Sequence, residues 1–366
     1  MIAGFATPDG TKAFAQKYGL GQNFRQVQNL ALSNVGVGTY LGNPDSQTDN
    51  VVIDAIKQSV LAGINVIDTA INYRAQKAER SVGKALSQLI QEGKIERNQV
   101  FVSTKNGYIT NDADIKEEFW MYIQREYTKP GIISPNDITS GYHCMTISYL
   151  DDQLNRSLKN LDLECVDLMY LHNAVEGQLQ DISKEQFLKN LKSVFELYEQ
   201  KRREGKIRFY GMATWECFRV PENNPQHLSL YDTIQIAKQV GGDDHGFRFI
   251  QLPYNMHYDQ AFMIKNQKIS GDVTTILDAS QRLGIGVFTS VPLMQGRLLA
   301  PGVLPEFGNL KPSIRCLQFI RSTPGVVAPL VGQKTPEHVQ ENLEILKIPP
   351  MSSDEFSALV KKLVSS

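Results

Sequence analysis

The chain lacks the features of a membrane-spanning, secreted or nucleic-acid-binding protein. No apolar stretch in its 366 residues approaches the roughly 18–20 residues that cross a bilayer. Its first residues have neither the basic start nor the long apolar run of a signal peptide. The formal net charge is −1, which gives no electrostatic reason for a nucleic acid partner. We therefore expect neither a membrane nor a nucleic acid as partner.

Cysteine is also scarce, and the four residues lie far apart: Cys144, Cys165, Cys217 and Cys316. None of them forms a Cys-x-x-Cys pair, and their spacing matches no common metal site. We therefore expect reduced thiols, no bound metal, and a location in the cytoplasm or an organelle stroma.

What the sequence does contain is a regular alternation of short apolar runs with amphipathic stretches. The apolar runs predict eight strands: Val35–Thr39, Asn65–Asp68, Val100–Thr104, Val166–Leu171, Arg208–Ala213, Phe249–Pro253, Gly286–Ser290 and Val326–Val331. The amphipathic stretches predict a helix after each strand: Asp49–Ala62, Glu79–Glu92, Tyr149–Leu161, Lys184–Glu204, Leu228–Val240, Thr274–Leu283, Ile314–Arg321 and Pro336–Leu346. Eight such pairs predict an α/β protein with a closed (β/α)₈ TIM barrel. An open doubly wound sheet is the alternative, but no Gly-x-Gly-x-x-Gly motif follows the first strand.

The chain divides into three regions around this repeat. Residues 1–34 form an N-terminal extension, in which Gln28–Leu32 could form a short strand that closes the barrel floor. Residues 35–346 form the barrel, with an insertion at 107–147 after the third strand. Residues 347–366 form a C-terminal helix. Connections as long as the insertion are uncommon and often functional, and we expect this one over the mouth of the barrel.

Four residues with complementary proton chemistry stand at or just after predicted strand ends: Asp68, Tyr73, Lys105 and His172. A free tyrosine has a pKa of about 10, but a neighbouring ammonium group lowers that pKa. Lys105 could supply this charge while Asp68 holds Lys105 in place. His172 could hydrogen-bond the Tyr73 hydroxyl or a substrate oxygen. The pattern predicts proton delivery from Tyr73 to a carbonyl oxygen.

Each of these residues also has an ordinary structural explanation. An aspartate after a strand often caps a turn, a tyrosine or lysine often lies at the core rim, and a lone histidine is often structural. Their shared position favours catalysis, because barrel enzymes work at the C-terminal ends of their strands. A proton alone reduces nothing, so a reduced nicotinamide is the simplest hydride donor.

An ordered series of motifs extends this prediction over most of the chain. The series is Gly36-Val37-Gly38-Thr39, Asp68-Thr69-Ala70-x-x-Tyr73, Glu79 with Val82-Gly83-Lys84-Ala85-Leu86, Ser103-Thr104-Lys105, Ser157-Leu158-Lys159-Asn160-Leu161, Asp167-Leu168-Met169-Tyr170-Leu171-His172, Gly205-Lys206-Ile207-Arg208-Phe209-Tyr210-Gly211, Gln251-Leu252-Pro253-Tyr254-Asn255, and Val331-Gly332 to Glu341-Asn342. In this order the motifs resemble those of the aldo-keto reductase superfamily. The resemblance implies an oxidoreductase that binds NADP(H) and a small carbonyl or alcohol substrate. It also implies a tetrad with Tyr73 as proton donor, Lys105 and Asp68 as tuners, and His172 as orienter.

The resemblance further implies a row of cofactor contacts, with Gln251 at the nicotinamide carboxamide and Asn342 at the adenine. The expected contacts are Gln251, Ser290, Leu293, Gly296, Arg297, Gly332, Lys334, Thr335, His338 and Asn342. Thr335 and Pro336 have the types that begin a helix, and a helix N-terminus attracts anions. Lys334 adds a positive charge there, while Gly296 and Arg297 could clasp a pyrophosphate.

Three positions depart from the family pattern. Ala213-Thr214 stands where many members carry a Ser-Asn pair that holds the carboxamide. Ser290 stands where many carry a tyrosine that stacks on the nicotinamide, and Trp215 or Phe288 could replace it. His338 stands where several relatives place an arginine against the 2′-phosphate. NADP(H) is favoured, but NAD(H) stays an alternative, with a preference that depends on pH if His338 contacts the phosphate.

The insertion 107–147 is rich in aromatic residues and also carries a histidine, a cysteine and a methionine: Trp120, Tyr122, Tyr127, Tyr142, His143, Cys144 and Met145. An aromatic lid suits a bulky or apolar carbonyl substrate, and an Ω-loop that packs on itself is the alternative. His143 and Cys144 could also indicate a metal ligand or a reactive thiol, although no further ligands stand at useful spacing.

We therefore expect NADPH-dependent reduction of an aldehyde or ketone, or the reverse reaction. The alternative from another class is an NADP(H)-binding, redox-sensing regulatory subunit with little turnover. A barrel glycosidase is disfavoured, since no pair of carboxylates stands at strand ends.

Overall fold

Eight parallel strands close into a barrel, and four further strands form two hairpins. The strands are β1 (Phe24–Val27), β2 (Leu30–Ser33), β3 (Gly36–Gly38), β4 (Val66–Asp68), β5 (Phe101–Asn106), β6 (Val166–His172), β7 (Ile207–Ala213), β8 (Phe247–Pro253), β9 (Lys265–Ile269), β10 (Asp272–Thr275), β11 (Gly286–Ser290) and β12 (Val326–Gly332). The barrel order is β3-β4-β5-β6-β7-β8-β11-β12, and β12 pairs back onto β3. The structure is a computed structural model that describes residues 1–19 and 21–365. The predicted (β/α)₈ barrel is confirmed.

Helices flank and connect the barrel strands. They are α1 (Pro8–Tyr18), α2 (Ser46–Leu61), α3 (Lys77–Gln91), α4 (Phe119–Ile123), α5 (Ile147–Leu161), α6 (Ala174–Gln178), α7 (Lys184–Arg203), α8 (Leu230–Gly241), α9 (Gln260–Met263), α10 (Ile276–Arg282), α11 (Pro312–Ser322), α12 (Pro336–Leu343) and α13 (Ser353–Ser365). In α3, Val82, Leu86 and Leu89 are buried at helical spacing against the barrel. No helix in the described part of the chain combines the length and apolarity needed to cross a membrane.

A hairpin of β1 and β2 lies against the interior of the barrel. Its turn residues Gln28 and Asn29 have φ values of 51° and 63°, as a two-residue type I′ turn requires. Leu30 and Leu32 belong to the same buried cluster as Phe101 and other residues of the barrel interior. The predicted strand at Gln28–Leu32 therefore begins two residues later, at Leu30, because the turn occupies its first two positions.

A second hairpin, β9 and β10, interrupts the connection from β8 to α10 and is absent from the sequence prediction. Its turn is Ser270-Gly271, with φ values of 51° and 93°. The helix predicted from Thr274 begins instead at Ile276, since Thr274 belongs to β10 and Thr275 caps the helix.

The insertion 107–147 packs beside the barrel against α3 and α5. Arg80 on α3 pairs with Asp112 at 2.5 Å, and Arg156 on α5 pairs with Glu126 at 2.8 Å. Tyr127 is fully buried, with its ring 5.0 Å from a tyrosine of α5. The insertion is thus held to the outer helices by both charge pairs and aromatic packing.

Candidate functional site

A cavity of about 600 Å³ opens at the C-terminal ends of the barrel strands. Three of the four proton-chemistry residues line it: Asp68, Tyr73 and His172. Lys105 is fully buried behind this lining. The strand ends converge as the sequence predicted, because parallel strands in a barrel share one C-terminal face.

Asp68 and Lys105 form a buried ion pair, and hydrogen bonds to three neighbours support it. The Lys105 Nζ donates to Asp68 Oδ2 at 2.5 Å and to the Thr69 carbonyl at 2.8 Å. Asp68 Oδ1 accepts from the Ser103 hydroxyl at 2.7 Å and from the Gln251 Nε2 at 3.1 Å. Burial lowers the pKa of Lys105, although Asp68 opposes that shift. Three neighbours thus fix both charged groups.

The Tyr73 ring lies next to the Lys105 ammonium group. The pKa of Tyr73 nevertheless shifts in the direction opposite to the prediction. The Lys105 Nζ lies 4.7 Å from the centre of the Tyr73 ring. Burial raises the pKa of Tyr73 well above its ordinary value, and the charge of Asp68 adds to that effect. The expectation of a lowered pKa is therefore wrong, because desolvation of the phenolate is the largest effect and the negative charge of Asp68 also opposes ionisation. The phenol stays protonated at neutral pH.

His172 faces Tyr73 across the cavity, with the two ring centres 5.8 Å apart. Burial lowers the pKa of His172 well below its ordinary value, and Lys105 and His143 lower it further. Its Nδ1 is buried and has no hydrogen-bond partner in the described residues. His172 is therefore a neutral imidazole at the cavity wall.

Among the residues at or proposed for the positions that depart from the family pattern, some line the cavity and one does not. Thr214 lines the cavity, and its hydroxyl is buried without a hydrogen-bond partner in the described chain. Trp215 also lines the cavity. Phe288 instead stacks on Phe249 inside the barrel, with ring centres 5.7 Å apart. Of the two suggested replacements for the stacking tyrosine, only Trp215 lies where it could act.

Most of the expected cofactor contacts do line the cavity: Gln251, Ser290, Leu293, Gly296, Gly332, Lys334, His338 and Asn342. The helix α12 begins beside Lys334, and the Thr335 hydroxyl caps it by accepting the His338 N–H at 3.3 Å. Asn342 is buried and donates to the Gln333 side chain at 3.1 Å. A positive side chain and a helix N-terminus therefore meet at one wall of the cavity.

Two expected contacts, Arg297 and Thr335, are not among the residues that line it. Arg297 is exposed to solvent after Gln295 and Gly296, whose φ values are 56° and 89°. These left-handed residues turn the chain, so that Gln295 and Gly296 line the cavity in its place. Thr335 is exposed and its hydroxyl is committed to the helix cap.

The structure adds lining residues that the sequence prediction missed, among them Tyr40, Tyr108 and Asn173. The Asn173 Nδ2 donates to the Tyr108 hydroxyl at 3.1 Å, which leaves the hydroxyl proton free to donate into the cavity. Burial raises the pKa of Tyr108, so the hydroxyl stays protonated. Asn173 follows β6 directly and Tyr108 lies two residues after the end of β5, and these positions at strand ends are the signal that could have identified them.

The aromatic residues proposed as a lid do not line the cavity, and within the described part of the insertion only Tyr108 does. Tyr122 and Tyr127 are buried against the outer helices, while Trp120 and Tyr142 are exposed. The lid prediction is wrong for these residues, since their rings are committed to packing on α5 or face solvent.

The described residues contain no group of three potential metal ligands. Cys144 is fully buried, and burial raises the pKa of its thiol. A reactive thiolate at Cys144 is therefore disfavoured.

Comparison with known proteins identifies the family. The model of the Aldo/keto reductase family matches residues 34–302. The Uncharacterized oxidoreductase YqkF of Bacillus subtilis (strain 168) is 23% identical over 339 residues, which cover 91% of this chain and 93% of the relative. A crystal structure of an aldo/keto reductase from Klebsiella pneumoniae in complex with NADP and acetate has a TM-score of 0.59 and 20% identity, covering 93% of this chain and 94% of that chain. A structure from the same organism in complex with NADPH has a TM-score of 0.59 and 19% identity, with coverage of 92% and 94%. The chain belongs to the aldo/keto reductase family.

Proposed function

We propose that the protein is an NADP(H)-dependent reductase of a small aldehyde or ketone. The observation that carries the proposal is the contact of Tyr73 with the buried Asp68–Lys105 pair and His172 at the cavity wall. Family membership supports the same class of reaction.

In this proposal Tyr73 is the general acid. Burial keeps its phenol protonated, so the group is ready to donate a proton to the carbonyl oxygen as negative charge develops there. The phenolate that forms would lie beside the Lys105 ammonium group, 4.7 Å from the ring centre, which stabilises it. General acid catalysis of this kind contributes about 10²–10⁴ in rate.

His172 orients the substrate oxygen in the same proposal. It is neutral and lines the cavity, so its ring can hydrogen-bond a substrate oxygen. Asp68 acts indirectly, through Lys105. Ser103 and Gln251 donate hydrogen bonds to Asp68 Oδ1, and Asp68 Oδ2 accepts the hydrogen bond from Lys105.

The cavity fits a dinucleotide at two places. Thr214 and Asn72 line the cavity, and each carries a buried side-chain oxygen that has no partner among the described residues. These groups would hold an amide such as the nicotinamide carboxamide. Lys334 and the start of α12 offer positive charge for a phosphate. A reduced nicotinamide held there would supply the hydride. The cofactors named for the two Klebsiella structures favour NADP(H) over NAD(H) here.

The decisive experiment measures loss of NADPH absorbance with a panel of aldehydes and ketones. Tyr73→Phe should abolish turnover and leave NADPH affinity unchanged, because the phenol is proposed to act on the substrate only. Tyr142→Phe removes a phenol that is exposed and lies outside the cavity lining, and it should retain full activity.

Other results would change the proposal. Full activity of Tyr73→Phe would remove Tyr73 from the mechanism. Tight NADPH binding by the unmodified protein, with no turnover of any carbonyl, would favour the regulatory subunit.

A further inference from the structure

The insertion 107–147 places one histidine, His143, against the candidate site, and the proposed mechanism assigns no role to it. His143 is fully buried. Its Nε2 lies 2.8 Å from the main-chain carbonyl oxygen of His172, and its Nδ1 lies 2.9 Å from the Gln178 Nε2. A carbonyl oxygen only accepts hydrogen bonds, so Nε2 carries the proton and Nδ1 accepts from Gln178. His143 therefore joins the end of β6 to the short helix α6.

Two glycines make room for this imidazole. A Cβ at Gly107 would lie 2.5 Å from the His143 Nε2, and a Cβ at Gly177 would lie 2.6 Å from the His143 Cβ. Gly107 follows β5, and Gly177 lies in α6. Even alanine at either position would force the ring to move, so both walls of this socket are fitted to His143.

The backbone of the insertion fixes His143 at the socket. Tyr108 and His143 form an antiparallel bridge that closes the two ends of the insertion. The Cys144 N–H donates to the Gly107 carbonyl at 2.8 Å, and the Thr139 N–H donates to the His143 carbonyl at 3.0 Å. The insertion thus begins and ends at the place where its histidine meets His172.

The helix α6 passes this contact on to the cavity wall. Glu176 on α6 accepts the backbone N–H groups of Trp215 and Glu216 at 2.9 Å and 2.6 Å. Trp215 lines the cavity. A shift of α6 would therefore disturb both His172, which precedes the helix, and the wall formed by Trp215.

We propose that His143 is a positioning residue, supplied by the 107–147 insertion, that fixes the main chain of His172 and so the aim of the His172 imidazole. The inference rests on the proposed reductase function. His143 is not among the residues that line the cavity, so it acts through His172 rather than on a substrate. Burial lowers the pKa of His143 to about 4, and the ring is a neutral donor throughout the physiological range.

The chain offers a matched control in His227. Its Nε2 lies 2.8 Å from the Asn266 carbonyl oxygen and 3.3 Å from the Gln267 Nε2. It is also buried, with 7% of its surface exposed against 0% for His143, and it does not line the cavity. A merely structural role predicts similar losses from His143→Leu and His227→Leu.

The first test compares kcat, KM and melting temperature for these variants. His143→Leu should lower kcat roughly tenfold or more with little change in KM for NADPH, since small displacements of a reacting group cost rate rather than cofactor binding. His143→Gln keeps an N–H donor and should recover most of that loss. His227→Leu should lower the melting temperature without changing kcat. If His143→Leu does not fold, Gln178→Leu removes the partner of Nδ1 and should lower kcat in the same way.

The second test does not depend on turnover. Nitrogen-15 labelling of histidines, with His172→Gln to assign the His172 ring, should show its signals shifting in His143→Leu but not in His227→Leu. Unchanged His172 signals and unchanged kcat in a folded His143→Leu would overturn the inference. If the unmodified protein reduces no carbonyl but the His172 signals shift, the proposed function fails and the positioning role stands.

Discussion

Two lysines beside the cavity, Lys105 and Lys334, differ in their burial and in how firmly neighbouring residues hold them. Lys105 comes from the barrel strand β5, is 0% exposed, and donates to Asp68 and Thr69. Lys334 follows β12 in a loop and is only partly buried. Its stem passes near Gly42, where an added Cβ would lie 3.4 Å from the Lys334 Cδ.

The difference separates chemistry from affinity. A buried ammonium group costs several kcal/mol to desolvate unless it is paired, and the hydrogen bonds that pay for Lys105 also hold it rigidly against Tyr73. A partly buried lysine loses less hydration than a fully buried one, so Lys334 can adjust to a phosphate but gains little from it. We therefore expect the same substitution, lysine to methionine, to act on different quantities at the two sites.

The largest effect should come from Lys105→Met. Removing the ammonium group leaves the Tyr73 phenolate unstabilised, and kcat should fall by about 10²–10⁴. Asp68 would lose its counter-charge, and the free energy of unfolding should fall by about 3 kcal/mol. Stopped-flow reduction and urea unfolding measure the two quantities separately. A kcat within tenfold of the unmodified protein would break the comparison.

Burial of His143, like burial of Lys105, penalises the charged form of the side chain. The free energy of unfolding should therefore depend on pH. An unfolded histidine has a pKa of about 6.5, whereas folded His143 has a pKa of about 4. Between these values the unfolded chain binds a proton that the folded His143 does not bind, so the free energy of unfolding falls as pH falls. The contribution of His143 is present above pH 6.5 and reaches a loss of up to about 3 kcal/mol near pH 4.

His143→Gln should remove this contribution and flatten the stability curve across that window. Burial also lowers the pKa of His245 to about 4, so part of the slope should persist in the variant. Urea unfolding of both proteins at pH 7 and pH 4.5 provides the measurement. Equal slopes for the two proteins would show that His143 takes up its proton in the folded state without cost.

The barrel strands and the proton-chemistry residues could be predicted because local pattern and topology determine them together. Apolar runs located the strands, and the barrel brings every strand end to one face. The strand pattern and the barrel topology were therefore sufficient to predict that Asp68, Lys105 and His172 lie close together.

What the sequence did not reveal depends on distant contacts or on local backbone. The position of His143 follows from a bridge to Tyr108, 35 residues earlier in the chain, and no periodicity indicates that closure. The outward direction of Arg297 follows from left-handed residues before it. The raised pKa of Tyr73 depends on burial, which a sequence does not measure. The hairpin turn at Ser270-Gly271 is different, since that dipeptide is a recognised turn signal and a turn there could be predicted from the sequence.

The smallest effect should come from Lys334→Met. An ion pair in solvent-exposed surroundings contributes about 0–1 kcal/mol, which corresponds to at most about a fivefold weaker NADPH affinity. Cofactor titrations at low and high salt would measure it, and the difference should shrink at high salt because mobile ions screen the charge. NADH affinity should be unaffected if Lys334 contacts the 2′-phosphate, and weakened equally if it contacts the pyrophosphate. In either case kcat at saturating NADPH should be unchanged. A loss of kcat there would mean that Lys334, like Lys105, takes part in the chemical step. The distinction between a rigid lysine that sets the rate and an adaptable lysine that sets cofactor affinity would then fail.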